Sequence, residues 1–226
     1  MKAHEWDNLF DENIGRYRRA RPKRGQFLEE FLQGKGIRPE SILEMGAFSG
    51  KDIRYLSQRF GSAFCCSLDK ERAVFDAAAV VATSCVAADA FRMPFRDRAF
   101  DLTFHSGLIV VFDDAQSAKI VQEQVRVTSK YAVVFAHNRW NVLDVAVSAL
   151  KRTRGDSLFR YRRFTKGLLR NMAPDGTEVV ALGYVDNMLV NLAHRRAPRL
   201  AGVASWLGRQ FNALLCNEVV MVLRVV

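Results

Sequence analysis

Phe27, Leu28, Phe31 and Leu32 recur at helical spacing between residues 25 and 34, and Gly34 ends the pattern. From residue 41 onward, short apolar runs alternate with longer stretches of helical periodicity. Ser41 to Met45 reads as a first strand and Lys51 to Phe60 as a helix. Ala63 to Leu68 is a second strand, followed by a helix from Glu71 to Val81. Ser84 to Ala88 is a third. Ala99 to Ser106 is a fourth, running on in apolar residues to Phe112. Gln116 to Val127 is helical, and Tyr131 to Ala136 is a fifth strand. Runs this rich in Val, Ile and Phe suit strands covered on both faces. Their alternation with helices predicts a parallel sheet with right-handed crossovers.

The texture changes after Asn138. Val142 to Leu150 reads as a helix, and a basic segment follows from Lys151 to Arg163. Thr165 suits the N-cap of a helix from Lys166 to Met172. Thr177 to Val185 is a sixth strand. Leu200, Val203, Leu207, Phe211 and Leu214 share one helical face. Glu218 to Val226 is a closing strand.

Composition places this pattern in a globular chain of 226 residues, 49% hydrophobic and 26% charged. The length suits one domain. Net charge is +10, and the stretch from Lys151 to Arg209 holds 12 basic and 4 acidic residues, so +8 of it lies there. Such a face can meet nucleic acid, an anionic membrane or a phosphorylated substrate, or be a solvated surface. Cys65, Cys66, Cys85 and Cys216 show no metal-ligand spacing, so no metal site is expected and buried free thiols are. The N-terminus has no apolar leader pattern, and no apolar run approaches the roughly 20 residues of a membrane span. A cytoplasmic protein is the expectation.

Candidate chemistry gathers at the strand ends. Residues 41–50 read Ser-Ile-Leu-Glu-Met-Gly-Ala-Phe-Ser-Gly, an apolar strand closing in an acid and a glycine turn. Glycine lets the backbone turn sharply and approach a ligand closely. In open α/β sheets the ligand sits at the carboxyl ends of the strands. Glu44 closes the first strand, where it could pair an ammonium group. Asp69 closes the second, 19 residues after Gly50, the interval expected of a ribose-binding acid. Asp89 follows the third and could accept from an exocyclic amine.

These residues resemble the class I S-adenosylmethionine-dependent methyltransferases, particularly the small-molecule group of the ubiquinone-biosynthesis type. The resemblance covers residues 38 to 138. Glu44-Met45-Gly46-Ala47-Phe48-Ser49-Gly50 is similar to the first motif of that family, with Phe48 in place of the middle glycine. Asp69 matches the acid after strand two. Asp89-Ala90 with Met93-Pro94-Phe95, Phe100-Asp101-Leu102 and Ser106-Gly107-Leu108 match the later segments.

The resemblance implies a Rossmann-like, doubly wound α/β fold: a mostly parallel seven-stranded sheet with helices on both faces and an antiparallel last strand. It implies S-adenosylmethionine as cofactor and S-adenosylhomocysteine as product. Gly46, Ala47 and Gly50 would wrap the methionine part, and Glu44 would anchor its amino acid moiety. Asp69, with Lys70 beside it, would hold the ribose. Asp89 and Ala90 would meet the adenine, and His105 and Ser106 would line the site near the methyl group. The single domain, 1–226, would then divide into a helical cap (1–37), a cofactor-binding core (38–138), an acceptor-side segment (139–215) and the last strand (216–226). Where relatives carry Leu-Glu-His after strand four, this chain reads Leu108-Ile109-Val110, so no histidine role carries over there.

Methyl transfer from a sulfonium needs alignment above all, and an oxygen nucleophile can also need a base. His105 and His137 are the candidate bases, each against a reading as a hydrogen-bonded loop residue. Asp101, at the start of its strand, reads as structural. Tyr17, Arg18 and Arg19 could close over the cofactor or be a solvated helix. The Leu200–Leu214 stripe reads as packing on the sheet or across a homodimer, with a membrane surface as the other option. The expected activity is methyl transfer to a small-molecule or anionic glycan-precursor acceptor, at oxygen or nitrogen. The rivals are a methyltransferase-like binding or scaffold protein without catalysis, and an RNA methyltransferase, which no recognised RNA-binding module supports.

Overall fold

Strand β1 (Ser41–Met45) carries Ile42, Leu43 and Met45, and four of its five residues are buried. It therefore runs through the middle of the protein, paired in parallel with β2 (Phe64–Asp69) on one side and β4 (Phe100–Ser106) on the other. A computed structural model describes residues 20–71, 74–75, 84–153 and 161–226. The sheet has seven strands in the order β3-β2-β1-β4-β5-β7-β6, where β3 is Ser84–Ala87, β5 Thr128–His137, β6 Thr177–Asn187 and β7 Cys216–Val225. Strand β7 lies antiparallel between β5 and β6. The order reverses between β1 and β4, which places a crevice at the carboxyl ends of both.

Helices cover both faces. On one, α1 (Lys23–Gly34) and α2 (Lys51–Arg59) bury Leu28, Leu32, Ile53 and Leu56 against Leu102, Phe104 and Phe135. On the other, α3 (Asp114–Arg126) buries Ile120 and Val121 against Leu43, Met45, Val134 and Met221. Each such side chain contributes about 1.5–3 kcal/mol on leaving water. Asp113 starts α3 with a reciprocal capping box: its side chain accepts from the Gln116 amide at 2.8 Å, and the Gln116 side chain accepts from the Asp113 amide. The later helices are α4 (Val142–Thr153), α5 (Lys166–Arg170), α6 (Met188–Arg196), α7 (Ala201–Gln210) and α8 (Asn212–Leu215). Thr165 caps α5 as its sequence predicts, accepting from the Leu168 amide.

Two expectations need revision, and others fall on residues that are not described. The apolar run after β4 does not continue as strand: Gly107 turns left-handed at φ 71° and Leu108–Val111 forms a 3-10 turn. Composition cannot tell those two apart in a short apolar run. The Leu200–Leu214 stripe does not pack on the sheet, for Leu200, Val203, Phe211 and Leu214 are exposed. The helix expected over Glu71–Val81, the stretch 154–160 of the basic segment and the group Tyr17, Arg18 and Arg19 lie wholly or largely outside the described residues. Cys65, Cys66 and Cys216 are buried thiols, while Cys85 is an exposed one. Asp101 is structural as expected: at the far end of the sheet it accepts from the Glu40 amide, Ser129 and Lys130.

Replacing Asp113 by alanine should remove the cap of α3 and cost about 1 kcal/mol, read as a lower midpoint in thermal or urea unfolding.

Candidate active site

The loop after β1 is wound by three left-handed residues in five: Gly46 at φ 64°, Phe48 at 43° and Gly50 at 60°. Two amides at its start, those of Gly46 and Ala47, donate to the Leu68 carbonyl at 2.7 and 3.2 Å. A Cβ on Gly46 would lie 3.3 Å from Leu108 Cδ1, so the loop passes directly under the turn that follows β4. Phe48 thus keeps the glycine-like conformation despite its side chain. Its amide donates to Asp69 Oδ2 at 3.2 Å, which helps to hold it there.

The predicted acids gather at this end of the sheet. Asp69 Oδ1 accepts from the Glu71 amide at 3.1 Å, and burial pushes its pKa up. Its neighbour β3 pairs Ala87 with Asp69, bringing Asp89 close behind. Asp89 accepts from the Phe91 amide at 3.0 Å and lies 3.8 Å from exposed Lys70. Ala90 packs into the core beneath. Both aspartates keep lone pairs for ligand hydroxyls or amines.

Glu44 is buried, and its Oε2 accepts from the Ile53 amide at 3.3 Å, in the first turn of α2. Burial, and then the nearby Asp52, raise its pKa well above the ordinary 4.5. Two further carboxylates share the region. Asp52 accepts from the Gly25 amide at 3.0 Å. Glu218 on β7 takes Arg24 in a two-oxygen grip, 3.0 Å from Nε to each oxygen, and Arg24 Nη1 lies 3.7 Å from Asp52. Burial would weaken the charge on Arg24, but Glu218 and Asp52 more than offset it and keep the guanidinium protonated. Lys51 also contributes positive charge, though burial lowers its pKa. Three carboxylates thus face two cations. Among the described residues Glu44 makes no direct ion pair, although Arg24 and Lys51 act on it at a distance, and an incoming ammonium would complete the set.

Of the two histidines, the structure separates the roles. His105 does not line an open site: it lies inside β4, opposite Met45 and Val134, and is wholly buried. Neither ring nitrogen finds a partner among the described residues, and desolvation lowers its pKa to about 3. It is a neutral core residue beneath the loop. Ser106, the next residue and the last of β4, is only half-buried. His137 ends β5 and stacks on Tyr161 with ring centroids 4.1 Å apart. Tyr161 bonds Asp144 on α4 at 3.0 Å, and Arg163 lies over the Tyr161 ring while pairing with Asp144 at 2.9 Å. Burial lowers the His137 pKa; Glu218 and Asp144 raise it, and Arg24 and Arg163 lower it. Beside this cluster opens a cleft of about 570 Å³ lined by Asp114, Arg139, Val145, Arg162, Arg163 and Leu168, a size that suits a small organic ligand.

Arg24, Lys51, Asp52, Glu218 and the Asp144–Tyr161–Arg163 group have no motif to mark them in the sequence. The nearest signal is Glu218 itself, an acid at the head of an otherwise apolar closing strand. No group of three or more His, Cys, Asp or Glu residues arranged for a metal ion occurs among the described residues.

Residues 42–131 match the family described as "Methyltransferase domain". The fold also aligns with solved structures. Magnesium protoporphyrin IX methyltransferase of Synechocystis PCC 6803, with bound S-adenosylhomocysteine, gives a TM-score of 0.62 at 9% identity over 89% of this chain and 81% of that one. The plantazolicin methyltransferase BpumL, in complex with the same product, gives 0.65 at 12% identity over 99% and 90%. A SAM-dependent methyltransferase from Archaeoglobus fulgidus gives 0.56 at 10% over 88% and 94%. A search of the curated proteins finds no match. Residues 42–131 thus match a methyltransferase domain, and the fold is the one shared by these solved methyltransferases. The match is to the domain at large rather than to the ubiquinone-type subgroup.

Because its folded-state pKa is raised, Glu44 favours the fold most below pH 4.5 and progressively less as pH climbs through the raised value. Glu44→Gln should therefore raise the melting temperature of the ligand-free protein at neutral pH and flatten its decline above pH 4.5. Melting curves across the pH range check this.

Proposed function

We propose that the protein transfers the methyl group of S-adenosylmethionine to a small-molecule acceptor at oxygen or nitrogen. The observation that carries this reading is the row of carboxylates, Glu44, Asp69 and Asp89, at the carboxyl ends of successive strands beside the left-handed loop of Gly46 and Gly50. The cofactor carries net positive charge, and Glu44 is a buried acid in want of a cation. Glu44 would hold the amino group, Gly46, Ala47 and Gly50 would enclose the methionine chain, and Asp69 would accept from the ribose hydroxyls. Asp89 and Ala90 would meet the adenine, with Lys70 tethering Asp89, and Ser106 would border the reacting end. When bound, the cofactor supplies an electrophilic methyl group with a neutral thioether as leaving group.

The chain's own task is then to align the acceptor and take its proton. His137 is the base this geometry favours. The Tyr161 ring fixes its plane, and burial with Arg24 and Arg163 keeps it neutral and able to accept. His105 supports the loop from below and has no part in proton transfer. The arginines of the cleft suit an acceptor with an anionic group, such as a glycan precursor bearing phosphate. Arg162 and Arg163 are already paired with Asp114 and Asp144, an arrangement that suits one fixed small ligand better than an RNA backbone.

Titration calorimetry with S-adenosylmethionine and S-adenosylhomocysteine tests the cofactor half. Both should bind the wild type. Gly46→Val should abolish binding, since its Cβ meets Leu108 and its φ is 64°. Phe48→Gly should leave binding intact. A folded wild type that binds neither compound would falsify the reading. Once an acceptor is in hand, His137→Gln should lower kcat by about 100-fold or more. The wild-type rate should hold to below pH 6.5 before falling, because the His137 pKa is depressed from that value.

A further inference from the structure

Two helices of the acceptor-side segment are turned inside out. In α4 the polar side chains face the protein: Asp144 bonds Tyr161 and Arg163, and Ser148 is buried against Arg163 at 2.7 Å. Its apolar residues face outward, with Leu143 and Leu150 exposed and Trp140 exposed just before it. In α7 the small residues face inward. Ala204 and Gly208 are buried, and a Cβ on Gly208 would lie 2.9 Å from Asn187 Nδ2 and 3.0 Å from Val190 Cγ2. The large residues point out, with Val203 58% and Trp206 56% exposed. A helix that needs only a solvated surface puts its polar side there.

The outward faces adjoin. Helix α8 packs against α4 on one side and α7 on the other, and α6 packs on α7. Asn138 Nδ2 ties the end of β5 to the Ala213 carbonyl of α8 at 2.7 Å, and Asn141 Nδ2 lies 3.4 Å from the Met188 sulfur at the start of α6. All four helices therefore sit at the carboxyl end of the sheet. The charge around them has one sign. From Met188 to Leu215 the chain holds four arginines, at 195, 196, 199 and 209, and no Asp or Glu. The one acid of α4, Asp144, is turned inward and paired. Among the described residues no helix is long and apolar enough to cross a membrane.

We propose that the face formed by α4, α6, α7 and α8 docks on an anionic membrane surface, with the tryptophans and aliphatic residues entering the headgroup boundary and the arginines meeting lipid phosphates. Bilayer interfaces select for this pairing of apolar bulk, indole rings and basic charge. Charge decides between occupants. A second copy of this chain would bring the same four arginines against themselves, whereas an anionic lipid surface neutralises them. The proposal goes beyond the methyl-transfer reading and does not depend on it.

The experiment is co-sedimentation of the full chain, without cofactor, with phosphatidylcholine vesicles that do or do not carry about one-third phosphatidylserine. Partitioning should be at least about tenfold stronger on the anionic vesicles. It should fall as salt is raised. The pair Val203→Glu with Trp206→Glu should lose binding to both vesicle types, with its circular dichroism unchanged. The pair Arg195→Gln with Arg199→Gln should lose the preference for anionic lipid. Equal partitioning onto the two compositions overturns the proposal. So does absence of binding by the full chain, whether sedimentation equilibrium then shows the face taken up in a dimer or deletion of residues 1–19 uncovers it.

Discussion

Arg24 and Glu218 lie 194 positions apart in the chain, and their ion pair joins the first described helix to the last strand over the carboxyl end of the sheet. Breaking a buried pair of this kind leaves an uncompensated charge and costs about 3–5 kcal/mol. More depends on it than stability. Arg24 also reaches Asp52, and Asp52 raises the pKa of Glu44. The pair thereby modulates Glu44, whose pKa is raised first by burial and then by Asp52. His137 stands opposite Glu218 across β5 and β7 and feels the same two charges. One electrostatic cluster thus acts on both Glu44 and His137.

Local geometry is as tightly constrained. The β1 loop is left-handed at Phe48 as well as at two glycines, a conformation that costs a residue with a side chain roughly 1–2 kcal/mol. Asp69 offsets part of that cost through the Phe48 amide and keeps its remaining lone pairs for a ligand. The loop therefore persists without its middle glycine because the strand beside it supplies a hydrogen bond. Strain held at a binding loop by its neighbours is a common signature of a functional site.

Much of this was legible in the sequence. Short apolar runs and stretches of period 3.6 are local properties, so the strands and most helices follow from them, displaced by up to three residues. The position of Glu44, Asp69 and Asp89 at or near strand ends follows as well, because each interrupts or closes an apolar run. The same reasoning could not rank the histidines. His105 and His137 each close an apolar run, yet one lies inside β4 under the Gly107 turn and the other stacks on Tyr161 at the open edge. The difference arises from where the neighbouring strands end, which no local pattern encodes.

The sequence by itself determined the order of elements, the glycine loop and the acids that follow it, since each rests on contacts within a few residues. Only the tertiary structure decided what those acids face. Arg24, Lys51, Asp52 and Glu218 come from a helix near one end of the chain, the start of a second helix and the closing strand, and they meet because the sheet brings those ends together. It also decided which side of α4 and α7 is the outside. Helical periodicity defines an apolar stripe but carries no sign, and the stripe turned outward here because Asp144 and Ser148 on one helix, and Ala204 and Gly208 on the other, already had partners within.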